Sequence, residues 1–135
     1  MFFSLARVLG LRRMLGLKPV RGMIAKGRRF MGSHLRRIDD ALGVTGGPWV
    51  LGSAFSLADI TLACVLLRLE ETGFLKTFVE KDGLQRVASY YARLKARPSW
   101  AEAISNVTHP IITQGAEDLQ KARARDPVIS QMLGG

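Results

Sequence analysis

The sequence predicts an all-α protein, a helical bundle built around one central buried helix at about residues 56–70. Three observations carry this. The stretch GSAFSLADITLACVLLRLEE, residues 52–71, holds a run that is apolar all round through Leu67 and opens on a helix-start signal. Two flanking stretches repeat apolar residues at helical spacing: Val20, Ile24, Met31, Leu35, Ile38 and Leu42 in the first, and Leu84, Val87, Tyr91 and Leu94 in the second. No strand is predicted anywhere, and no internal repeat is visible.

Taken in order, residues 2–17 read as a first helix, with Phe2, Leu5, Leu9 and Arg12 on one face and Phe3, Val8, Leu11 and Leu15 on another. Gly16 and Pro19 punctuate its end. Pro19 suits the first turn of a second helix over about 19–42, amphipathic and closed by Gly43. Gly46, Gly47 and Pro48 then demand a turn, with Trp49, Val50 and Leu51 expected to fold onto the core. At the central helix Ser56 is placed to cap and Asp59, three residues on, to reach back to the Ser56 N–H. This capping box satisfies orphan N–H groups and sets a negative charge at the positive end of the helix dipole. Phe55 and Ile60 are spaced for a hydrophobic staple across the cap. Asp59 therefore reads as a folding residue before a catalytic one. Residues 74–83 read as a mixed connector ending in the Asp82-Gly83 turn, and 84–96 as an amphipathic helix stopped by Pro98. Ser99 and Glu102 have the spacing of a second capping box, opening a short helix to about 105. Gly115 and Pro127 break a charged, weakly anchored tail. The expected division is a helical domain over 1–105 and a partly helical tail over 106–135.

The 135 residues are enough for one domain with one core, and 47% apolar and 23% charged residues are ordinary for a globular protein. No apolar run reaches membrane-spanning length. The net charge of +9 is uneven: residues 1–38 hold ten Lys and Arg and no acid. Such asymmetry suits nucleic acid, an anionic membrane surface or a targeting segment. It suits equally a solvated helix face or a surface turned to an acidic neighbouring domain, and these two are preferred. A removable leader would not need the core stripe into which the basic pattern runs, and Arg7 interrupts the first apolar stretch against a secretory signal.

Little in the sequence speaks of chemistry. Cys64 lies mid-helix and is expected to be a small buried core residue; one cysteine allows no internal disulfide. His34 and His109 lack metal-ligand spacing, and no metal site is expected. There is no phosphate-binding glycine loop and no Ser/His/Asp grouping. Tyr90 and Tyr91 carry hydroxyls that can meet a ligand, though Tyr91 also fits the core stripe.

WVLGSAFSLADITLACVL resembles the signature of the C-terminal helical domain of cytosolic glutathione transferases, in which a glycine-containing loop precedes Phe-Ser/Thr-x-Ala-Asp. Gly52, Phe55, Ser56, Ala58 and Asp59 match it position by position, and Arg97, Pro98 and Ser99 match a second family motif. RLEETGF and the tail are similar to the ganglioside-induced differentiation-associated branch. The resemblance implies transfer of glutathione sulfur to an electrophile, a detoxification chemistry in the cytoplasm. Glutathione would be the co-substrate, with no cofactor held by this chain. It implies a thioredoxin-fold domain, in cis or in trans, that binds glutathione and supplies the catalytic residue. No strand–helix–strand precedes residue 19, so no catalytic residue is expected here, and the chain reads as truncated or as a stand-alone helical domain. Its own share would be the electrophile pocket, with Phe2, Phe3 and Leu5 as candidate lining residues or plain packing against the second helix, and part of a homodimer surface. The alternative is a non-catalytic protein-interaction module of the same fold.

Overall fold

Pro19 supplies a fixed φ and no N–H in the first turn of α1 (Lys18–Thr45), where a missing donor costs nothing. The computed structural model describes Arg13 and residues 17–105 and 110–132. The helix expected over 2–17 falls outside the described residues apart from Arg13 and Leu17, and with it Phe2, Phe3 and Leu5; so does His109. Among the described residues six further helices follow: α2 (Leu57–Glu71), α3 (Phe74–Lys81), α4 (Gln85–Lys95), α5 (Pro98–Trp100, running into a π turn over Ala101–Ser105), α6 (Pro110–Arg125) and α7 (Pro127–Met132). Among the described residues there is no strand, only a lone bridge between Trp49 and Gly52. The predicted all-α bundle is the fold.

The core gathers Leu35 and Leu42 from α1, Ala63, Leu66 and Leu69 from α2, Phe78 from α3, and Val87, Tyr90, Tyr91 and Leu94 from α4. α2 packs on α3, α4 and α6, and α1 crosses α4. Three helices thus cover one flank of α2. Its other flank, predicted to be buried all round, is open: Leu57 is 76% exposed, Ile60 49%, and Cys64 is exposed rather than a core residue. A helix can be apolar on every side and still be covered on one, because composition does not record which neighbours pack against it.

Several boundaries differ from expectation. α1 runs past Gly43 and ends at Gly46, which takes the left-handed conformation at φ 63°. Gly43 serves close approach instead: a Cβ there would come within 2.9 Å of the Arg86 guanidinium. Residues 74–81, expected as a connector, are helical, since Thr77 and Phe78 turn inward one helical turn beyond Phe74. α5 starts at Pro98 with Arg97 as its N-cap, so Ser99 is already inside the turn and the second capping box does not form; Glu102 is exposed. Pro98 sets that start, because it occupies a first helical position without strain. Gly115 lies inside α6 rather than breaking it. The segment after residue 110 closes a second apolar cluster, in which buried Ile129 meets Val20, Ile24, Phe74, Leu119 and Ala122.

The loop between α1 and α2 is drawn tight. Trp49 and Gly52 exchange both backbone hydrogen bonds at 3.0 Å, and a Cβ on Gly47 would run into the Gly52 carbonyl. Backbone cannot swing aside as a long side chain can. Gly47→Ala should therefore cost about 1–3 kcal/mol, as overpacking does, read as a lower urea midpoint with an unchanged slope. Trp49 packs edge-on against Phe55 and Tyr90, whereas Leu51, expected on the core, is exposed.

Candidate functional site

Asp59 is fully buried and is the most heavily bonded side chain described. The capping box forms as predicted. Oδ2 accepts from the Ser56 N–H and the Ser56 hydroxyl, both at 2.8 Å. Oδ1 accepts from the Val50 N–H at 3.0 Å and the Tyr90 hydroxyl at 2.8 Å. One carboxylate thus ties the loop, the start of α2 and the middle of α4 together. Burial by itself would raise its pKa. The donors on Val50, Ser56 and Tyr90 outweigh that and hold it below its usual value. Burial, with the carboxylate beside it, pushes the Tyr90 phenol far up, so it stays a neutral donor.

Neither tyrosine is free for a ligand. Tyr91, also buried, donates to Glu70 at 2.7 Å, and Lys95 reaches the other Glu70 oxygen at 2.7 Å while lying over the Tyr91 ring. Burial would raise Glu70, but Lys95 and Tyr91 bring it below its ordinary value. The predicted staple is replaced by other company: Phe55 packs on Trp49 and under the Arg97 guanidinium, 3.7 Å from its ring centre, while Ile60 is half exposed. Two motifs whose contacting residues, Phe55 and Arg97, are 42 positions apart in sequence are thus in direct contact. Arg97 Nε is buried with no hydrogen-bond partner among the described residues, so ring faces hold this cation.

Asp39 was not singled out in the sequence. It is buried in α1, accepts from the Val87 N–H at 2.9 Å, and meets Arg86 at 3.1 Å. Val87 is the third residue of α4, whose own N-cap position holds Leu84, a residue with nothing to offer. A carboxylate from another helix therefore performs the capping. The only advance signal was two adjacent acids, Asp39-Asp40, at the edge of the α1 core row.

A cleft of about 770 Å³ lies between α1, α3 and α7, with Arg21, Arg28, Arg29 and Arg36 along it and Asp82 as its carboxylate. Much of the basic charge of the sequence's first third is thus gathered on one groove. Exposed His34 stacks on Phe30 outside it. Among the described residues no group of His, Cys, Asp and Glu could hold a metal, and no helix is long and apolar enough to cross a membrane.

Residues 25–93, from α1 through most of α4, match the family model for the glutathione S-transferase C-terminal domain. Two relatives, each a 2,5-dichlorohydroquinone reductive dechlorinase from a strain of Sphingobium indicum (B90A and UT26S), are 40% identical over 67 residues. That covers 50% of this chain and 19% of the relative, so the chain spans a small part of the proteins it matches. No solved structure matches significantly. The matched region contains the capped central helix, the Asp59 hub and the Asp39 cap, and this chain belongs to the glutathione S-transferase C-terminal domain family.

Proposed function

We propose that this chain is the helical, electrophile-side half of a glutathione-dependent protein, working with a thioredoxin-fold domain that binds glutathione. The family match over residues 25–93 carries the reading. In that division of labour the partner domain donates a hydrogen bond that lowers the thiol pKa, and the helical half offers an apolar surface to the electrophile. The exposed flank of α2, with Leu57 and Ile60, supports this as an apolar face available to be covered. The dechlorinase relatives suggest halogenated aromatics as the substrate class.

A chimaera tests the proposal. The matched 67 residues of the dechlorinase are replaced by the corresponding residues of this chain, and chloride release from 2,5-dichlorohydroquinone is followed with glutathione as thiol. The expected rate lies within about tenfold of the parent, a barrier change of about 1.4 kcal/mol, while the chain alone gives no saturable turnover. A folded but inert chimaera, or turnover by the chain alone, would sink the reading. A second reading, a non-catalytic interaction module, is favoured by the arginine-lined face of α1. An acidic partner bound there should dissociate steeply as salt rises.

A further inference from the structure

We infer that the groove between α1, α3 and α7 is a binding site for a small anionic amphiphile, such as a medium-chain carboxylate. Arg28, Arg29 and Arg36 line the groove, and Asp82, 3.6 Å from Arg36, is the carboxylate in its lining. Arg28 and Arg29 have no ion-pair partner among the described residues. Like charges gathered on one groove repel one another, and an anion relieves that repulsion. Guanidinium is weakly hydrated and presents forked donors to a carboxylate, so arginine suits the head group better than lysine would.

The floor argues for more than a bare anion. Beside the arginines the lining includes Ile24, Ala25, Gly32 and Phe78, with Ser33, Thr77 and Gln131 as its neutral polar groups. A volume of about 770 Å³ is in the range of small-molecule pockets and far beyond the needs of an inorganic ion. An adjoining open apolar hollow of about 200 Å³ shares Ile24, Arg28 and Phe78 and is lined also by Met31, Leu69 and Phe74. The apolar lining therefore continues past the groove at Ile24 and Phe78. Charge at the rim and apolar surface beneath it is the pattern an amphiphilic anion complements. The site is separate from the Asp59 hub and from the exposed flank of α2, and it stands whether or not the transferase reading does.

The test is calorimetric titration of the full chain with sodium decanoate below its micelle concentration. Sodium sulfate serves as head without chain, and octyl glucoside as chain without charge. Saturable binding at one site per chain is expected, with both controls at least about tenfold weaker. Arg28→Gln combined with Arg29→Gln should weaken decanoate about tenfold or more, as lost charge-assisted hydrogen bonds do. Both side chains are exposed, so this variant folds without them. Gly32→Leu should weaken it comparably, because a Cβ there meets Phe78 and Asp82 at an ordinary 3.6 Å and the rest of the side chain fills the groove. A helix-interior glycine replaced by leucine also favours the helix. Sulfate binding as tightly as decanoate, or a double glutamine variant that binds like the parent, would overturn the proposal. So would sedimentation with phosphatidylglycerol vesicles without saturable binding of free decanoate, which would assign the arginines to a bilayer surface.

Discussion

Asp59→Ala should destabilise the fold by roughly 3–5 kcal/mol, at the upper end of what single substitutions do. The substitution removes every acceptor that four donors share, and it leaves the Val50 and Ser56 N–H groups and the buried Tyr90 hydroxyl without partners. A buried donor left unsatisfied costs about 1–3 kcal/mol, and these cannot all reach water. Against a net stability of about 5–15 kcal/mol for a domain, the loss decides whether the chain folds at physiological temperature. Chemical denaturation is the measurement. Tyr90→Phe should cost only about 1 kcal/mol, since it removes one donor and leaves the carboxylate its other three. Equal losses for the two variants would show that the carboxylate is not the hub. The pH dependence has a definite sign. The folded pKa of Asp59 is lowered from 3.8, so its contribution is fully present above that ordinary value and drains away as pH falls through the folded pKa. The parent should lose stability on that acid descent more steeply than Asp59→Ala.

Asp39→Ala should cost about 2–3 kcal/mol, a cap and a buried hydrogen bond lost together. Its bond to the Val87 N–H is buried, whereas Arg86 is largely exposed and can turn to water when its partner goes. Most of the loss should therefore persist in high salt, and Arg86→Ala should cost much less than Asp39→Ala. Hydrogen exchange reads the bond directly. The Val87 amide is expected to be slow in the parent and among the fastest in α4 of the variant. An unchanged Val87 rate would show that α4 does not depend on this carboxylate.

Asp59 and Asp39 perform the same physical task, yet only one was legible. Ser56 and Asp59 are three residues apart, so spacing alone shows that carboxylate and N–H can meet. Asp39 and Val87 are 48 residues apart, and nothing local to either names the other. The same distinction explains Ser99 and Glu102, whose spacing imitates a capping box while Pro98 starts the turn one residue earlier. It also explains Gly43, a helix stop in the sequence and the seat of Arg86 in the fold. Tyr90 shows the limit from the other side. Its hydroxyl looked available to a ligand until the fold placed it 2.8 Å from Asp59.

By itself the sequence determined the all-α class, the helices α1, α2 and α4 and the cap of α2, because hydrophobic period and capping chemistry act within a few residues along the chain. It also pointed to the family, through a motif around Phe55 that lies within the matched residues and one at Arg97 that lies beyond them, and the two side chains prove to touch. Only the tertiary structure decided which flank of α2 is covered, which carboxylate serves α4, and that the arginines of α1 converge on a groove floored by Ile24 and Phe78. These depend on which helices become neighbours, and packing between distant segments leaves no spacing in the sequence to be read.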